Sequence, residues 1–329
     1  MNRREFITAL SGVAAVAQPL TSYAQQDGRL RQVGLLDIQD EADPIVQERW
    51  DVLREALAKL GWIEGRNVRF EVRFSDGNLD RTRTHADELV RLAPDLIVVV
   101  SGPAARVLLQ RTQTIPIVFT NVGDPVAFGL LRNIARPEGN ATGITNLYQS
   151  LGGKWLELLK EAAPGLIRVA LIYEAGIVND QYFGVIDTAA RALGVKAIRT
   201  PYRNDAELER AINILAEEPN AGLLMIPPPP SPSSRKLIYR LAVKHRLPTI
   251  YASKHLVAEG FLMGYGANAF ASSRVAASYI DRILRGAKIS ELPVQFPTKF
   301  ELVINLKTAA AIGLTVPESL LFRADEVIE

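Results

Sequence analysis

LIVVVSGPAARVLLQRTQTIPIVFTNVGDPVAFGLL, residues 96–131, contains two successive copies of one pattern: an apolar run, a polar turn, then a helical segment. The five apolar residues Leu96–Val100 do not alternate with polar ones, which is the signature of a strand buried on both faces of a parallel sheet. Ser101-Gly102-Pro103 leaves the strand's carboxyl end. Ala104–Arg111 then reads as a short helix whose first backbone N–H groups point back into the crevice above the sheet. Ile117–Phe119 is the second run, ending in Thr120–Pro125 before another expected helix.

The pattern returns downstream in Leu223–Ile226, the turn Pro227–Ser234 and a helix over Arg235–His245. Leu247-Pro248-Thr249-Ile250-Tyr251 echoes Ile115-Pro116-Ile117-Val118-Phe119, and Val257–Leu262 echoes Val126–Leu131. Upstream, Val33–Leu36 with a helix ending Leu60-Gly61 parallels Val169–Ile172 with a helix ending Leu193-Gly194. So long a period fits two lobes of similar build better than a solenoid. The expected fold class is α/β, with two doubly wound parallel-sheet lobes and a cleft between their strand ends.

With 329 residues and 48% hydrophobic content, the chain has enough material for two cores. The formal charge is only +2, and removing Arg3, Arg4 and Glu5 with a leader leaves 36 basic and 35 acidic residues, a balance that does not point to nucleic acid. The absence of cysteine excludes disulfides, thiolate catalysis and a lipid-modified cysteine anchor. His85, His245 and His255 stand apart without metal spacing, so neither a metal nor a cofactor is expected.

Asn2-Arg3-Arg4-Glu5-Phe6-Ile7 is a twin arginine followed by a hydrophobic pair, a mildly apolar stretch to Leu20, and small residues at Ser22-Tyr23-Ala24. Residues 1–24 therefore read as a twin-arginine signal peptide cleaved after Ala24, which places the mature chain in the periplasm without a membrane-inserted segment. Lobe 1 is expected to comprise 25–146 plus 264–290, and lobe 2 147–263 plus 291–329. Asp43 should cap a helix beginning at Pro44, with Val46, Trp50, Leu53, Leu57 and Leu60 on its apolar stripe. Arg136–Asn146 should carry the first crossing between lobes, and the glycine-rich Met263-Gly264-Tyr265-Gly266 a return crossing. Gly152-Gly153-Lys154 has the wrong spacing for a phosphate loop, and Lys154 reads as a solvated helix residue.

Several blocks, taken in order, resemble the ABC transporter substrate-binding protein family of the TrpX-like type. They are Gly61–Val68, Thr114–Val126, Gly139–Gly143, Gly152–Leu159, Phe296–Lys307 and Ala324–Ile328, and together they span nearly the whole mature chain. The resemblance implies a type I periplasmic-binding-protein fold with a three-crossing hinge. It also implies a small ligand in the cleft and, as partners, a membrane ABC permease with its ATPase.

Strand-to-helix loops of open parallel sheets border the ligand crevice. On that rule the candidate ligand-binding residues are Gln39, Ser101, Ala104, Asn121 and Asp124 in lobe 1. Lobe 2 contributes Tyr173, Asn179, Ser231 and Tyr251, and the crossings Asn146 and Tyr265. Ser101 and the Ala104 N–H together form a place for a carboxylate at a helix start. The aromatic residues suit a ring-bearing ligand. Ser101 and Asp124 are equally placed to act as caps, and the tyrosines to act as packing residues.

Where amino-acid-binding relatives carry an acidic residue, this chain has Pro227-Pro228-Pro229-Pro230-Ser231-Pro232. A ligand ammonium would need Glu174 or Asp124 instead, so a neutral or anionic small organic solute is expected. The reading is a monomeric periplasmic solute-binding protein and not an enzyme. The alternatives are a ligand-sensing protein of the same fold and, with neither a G-x-G-x-x-G nor a nucleophile elbow in its favour, an enzyme.

Overall fold

A computed structural model describes residues 29–126, 128–145, 150–176 and 181–329. The leader, Asn146 and Asn179 lie outside the described residues. The first half of the chain comprises β1 (Arg31–Asp37), α1 (Pro44–Lys59), β2 (Val68–Phe74), α2 (Leu79–Arg91), β3 (Leu96–Val100), α3 (Gly102–Leu109), β4 (Ile117–Val122) and β5 (Ala141–Thr145). Its five strands form one parallel sheet in the order β2-β1-β3-β4-β5. Every residue of β3 is buried. Leu96, Val98 and Val100 face one core with Val33 and Leu35, whereas Ile97 and Val99 face another with Leu36, Leu89 and Leu108. This two-sided burial is why the run shows no alternation.

The second half begins with α4 (Leu151–Ala162), β6 (Arg168–Glu174), α5 (Gln181–Leu193), β7 (Lys196–Tyr202), α6 (Asp205–Leu215) and β8 (Ala221–Met225). It continues through α7 (Pro232–His245), β9 (Thr249–Tyr251), α8 (Lys254–Ala258), β10 (Met263–Ala267) and α9 (Ala269–Leu284). The chain ends with β11 (Phe300–Asn305), α10 (Leu306–Ala311), α11 (Glu318–Leu321) and β12 (Glu326–Ile328). The second sheet runs β12-β11-β10-β9-β8-β6-β7. Its first five strands in sequence repeat the order of the first sheet, β7-β6-β8-β9-β10 matching β2-β1-β3-β4-β5. The internal repeat is therefore a repeat of topology, extended by β11, antiparallel to β10, and by β12.

Two expectations about local structure change. Met263–Ala267 is a strand of the second sheet and not a crossing. A Cβ on Gly264 would lie 2.7 Å from the Ser253 carbonyl oxygen, and one on Gly266 1.8 Å from that of Ala252. These glycines admit a close backbone approach rather than a flexible joint. The chain crosses after Ala267, because α9 packs on the first lobe through Ala276, Ala277 and Ile280. It stays there through Leu292 and Val294 before Gln295 pairs beside Ile144. The chain thus passes between the sheets three times: after β5, after β10 and before β11.

The helix expected after Pro125 is a single turn, with Phe128 N–H donating to the Asp124 carbonyl and Gly129, at φ 70°, ending it. Gly152 also has a packing reason, since a Cβ there would lie 2.8 Å from Ile186 Cγ1, where α5 rests on α4. Lys154 is exposed and paired with Glu157 at 3.1 Å.

Candidate functional site

One wall of the cleft is built on the ends of β1, β3 and β4. Asp37 closes β1 with no exposure; its Oδ1 accepts from Gln39 N–H at 3.0 Å and its Oδ2 from an Arg49 Nη. The other Nη of Arg49 donates to Gln39 Oε1 at 2.9 Å, so a residue of α1 holds the β1 loop in place. Arg49 is 4% exposed, and its Nε is buried without a hydrogen-bond partner.

Ser101, after β3, has φ 89° and ψ 149°, and Asn121 at the end of β4 has φ 54°. Two non-glycine residues in sparsely populated backbone regions cost about 1–3 kcal/mol each, and such costs gather at functional sites. Ser101 is held by its N–H to the Thr120 carbonyl at 3.0 Å and caps α3 by accepting from Ala104 N–H at 3.4 Å. The Phe128 ring lies so near Gly102 that a Cβ there would be 2.9 Å away.

The other wall comes from the second lobe: Pro227–Pro229 after β8, Tyr251 at the end of β9 with Ala252 and Ser253 after it, His255 and Leu256 of α8, and Ala267 at the end of β10. Burial raises the Tyr251 hydroxyl pKa and lowers that of the His255 imidazole. A single cavity is lined from both lobes by Gln39, Arg49, Ser101, Asn121 and Phe128 on one side and these residues on the other. It is mostly apolar. A second, adjoining space shares Ile38, Gln39, Pro228 and Pro229 with the first and is bordered by Asp40, Asp43, Asp76 and Glu174. Burial raises the Glu174 carboxyl pKa.

The lobes also meet directly. Arg235 of α7 donates to both carboxylate oxygens of Asp43, at 2.7 and 3.0 Å, with both side chains 2% exposed. Asp43 simultaneously caps α1 by accepting from Ile45 N–H at 3.0 Å, as its position before Pro44 predicts. The Arg235 Nε pairs with Glu259 at 2.8 Å within the second lobe.

Of the sequence candidates, Gln39, Ser101, Asn121 and Tyr251 line the shared cavity. Ser231 borders the adjoining space, where its hydroxyl accepts from Ser234 N–H at 3.3 Å as a cap. Four others lie outside both linings. Ala104 is buried in the helix, its N–H taken by Ser101. The Asp124 carboxylate braces its own turn, accepting from Val126 N–H at 2.9 Å. Tyr173 packs on Phe183 with ring centroids 5.2 Å apart, and Tyr265 on Phe300 at 6.0 Å.

Arg49, Asp43, Arg235, Phe128 and His255 were not anticipated at the cleft. The apolar stripe of α1 passes over Arg49, which is buried beside Val46, Trp50 and Leu53, and its spacing alone does not reveal that this side chain reaches the β1 loop. Among the described residues no cluster of three or more metal-ligating side chains occurs, and no helix is long and apolar enough to cross a membrane.

A family model of ABC transporter substrate binding proteins matches residues 42–328. The tyrosine-binding protein of Clostridioides difficile is 24% identical over 325 residues, covering 93% of this chain and 91% of that protein. A conserved domain protein from Vibrio cholerae superposes with a TM-score of 0.81 at 26% identity, covering 91% of this chain and all of that one. The ABC domain from Streptococcus pneumoniae in complex with L-Trp gives 0.79 at 21% identity, with the same coverage. The fold is that of the type I periplasmic binding proteins, shared with carbohydrate-binding examples at lower identity. The family, the tyrosine-binding relative and the L-Trp-bound one are binding proteins, not enzymes. A matching family model over almost the whole described chain, on two lobes with a cleft at their strand ends, places this protein in the ABC transporter substrate-binding protein family.

Proposed function

We propose that this chain is the periplasmic solute-binding component of an ABC importer. It holds a small organic solute with a ring-sized apolar body between its lobes and presents the filled, closed form to a membrane permease and its ATPase. The observation that carries this reading is the cavity walled by residues from both lobes at the ends of parallel strands. A solute there touches both lobes at once and so favours the closed arrangement through differential contacts. Tyrosine and L-Trp in the names of two relatives fit a ring-bearing guest, as do Tyr251, Phe128 and the proline run. Export by the twin-arginine leader with cleavage after Ala24, and a monomeric mature chain, complete the proposal.

A thermal-shift screen of the purified mature chain against small metabolites tests it, because a ligand that binds only the folded form raises the midpoint. At least one class of organic solute is expected to do so, with Tyr251→Ala and Ser101→Ala reducing the shift. A screen with no stabilising compound overturns the reading. A leader fusion that keeps a reporter in the cytoplasm overturns the export step and favours a cytoplasmic ligand sensor.

A further inference from the structure

We infer that the solute carries a carboxylate on its apolar body and no free amino group, so that this cleft selects a deaminated counterpart of an aromatic amino acid. The inference rests on the solute-binding reading above. No Asp or Glu lines the shared cavity among the described residues. An ammonium buried there has no countercharge, and an unpaired buried cation is strongly disfavoured. The cavity already acts this way on one of its own residues: burial drives His255 toward its neutral form.

The donors, by contrast, are in surplus. Arg49 lines the cavity with its Nε–H buried and unpartnered, although both Nη groups are committed to Asp37 and Gln39. A buried donor on a cation gains most when an anionic oxygen reaches it. On the same wall, Ser101 and Gly102 form the amino end of α3, whose backbone dipoles favour negative charge. Ser101 Oγ accepts from Ala104 N–H, a bond that does not use its own O–H. Asp37 balances the charge of Arg49, so the carboxylate is held by oriented donors rather than by net charge.

The carboxylates bordering the adjoining space are mostly engaged. Asp43 is bound to Arg235 and to Ile45 N–H, Asp40 accepts from Ala42 N–H at 2.8 Å, and Asp76 pairs with Arg81. Glu174 is the one side chain there whose carboxyl is both partly buried and raised in pKa. It is the rival anchor for an amine.

Calorimetric titration with matched probes separates these readings. The first series is 3-(4-hydroxyphenyl)propanoate, L-tyrosine and tyramine; the second is indole-3-propanoate, L-tryptophan and tryptamine. In at least one series the propanoate should bind at least about tenfold tighter than the amino acid, and the amine should bind weakest. Arg49→Lys, which keeps a cation for Asp37 but removes the Nε–H, should cost propanoate binding about tenfold, and Ser101→Ala should weaken it too. Glu174→Gln should leave it unchanged.

Equal or tighter binding of L-tyrosine or L-tryptophan, or loss of amino-acid binding in Glu174→Gln, overturns the inference while leaving the solute-binding function intact. If the probes fail and a different solute class from the wider screen binds, the inference falls alone. If no organic solute binds at all, the functional reading falls with it.

Discussion

Asn121 and Ser101 hold backbone conformations that glycine would adopt more cheaply, and both residues line the shared cavity. Replacing Asn121 with Gly relieves the left-handed conformation at φ 54°, so Asn121→Gly should leave folding stability unchanged or raise it by up to about 1 kcal/mol. Solute binding should nevertheless weaken about tenfold. Denaturant melts and calorimetry measure the two quantities separately, and parental binding would remove Asn121 from the site.

His255 gives a second test at this scale. Its pKa is lowered from 6.5 by burial, so the unfolded chain binds its proton more readily than the folded one. Its contribution is complete above pH 6.5 and is lost as the pH falls from there toward the depressed folded value. The thermal midpoint should decline on acidification through that window, and His255→Asn should flatten the decline. An identical slope in the variant would contradict this.

The elements of this chain were legible wherever one local rule decides the outcome. Leu96–Val100 declared a strand buried on both faces, and Asp43-Pro44 declared a helix start. Placing candidate contacts at strand ends marked Gln39, Ser101, Asn121 and Tyr251, which the fold brings to the lining of one cavity. Glycine was misread where its reason is tertiary, because a Gly-rich strand and a Gly-rich hinge look alike in sequence. Gly143 of β5 and Gly266 of β10, on corresponding strands of the two sheets, show that reason most sharply. A Cβ would lie 2.1 Å from the Phe119 carbonyl oxygen at the first and 1.8 Å from that of Ala252 at the second.

Neither backbone oxygen can swing aside as a side chain can. Gly143→Ala and Gly266→Ala should each cost about 3 kcal/mol, at the upper end of overpacking penalties. Gly184, exposed within α5 with no atom within 4 Å of where a methyl would stand, provides the contrast. Gly184→Ala should stabilise by about 0.5–1 kcal/mol through helix propensity. Urea melts of the three variants test the ranking, and equal effects would refute it.

Across the whole molecule, the two halves are held face to face by a contact no local pattern could announce, since Asp43 and Arg235 lie on different lobes. Asp43 was readable as a cap, which it is, but its partner on α7 was not. Breaking a buried pair from one side leaves uncompensated charge and costs about 3–5 kcal/mol. Arg235→Ala strands both Asp43 and Glu259. Part of its cost should appear as separation of the lobes, read as a larger radius of gyration in small-angle scattering of the solute-free protein. Asp43→Asn keeps a competent cap for α1 and isolates the effect of the pair. An unchanged scattering profile in both variants would show that the pair does not hold the lobes together.

Because one carboxylate both starts α1 and grips Arg235, parting the lobes need not unravel the helix: Asp43 keeps its bond to Ile45 as water floods in around it. The freed ions are then soothed by solvent, and dissolved salt competes with each for the other. How long a captured guest stays would accordingly shorten in brine, even for a guest that carries no charge of its own.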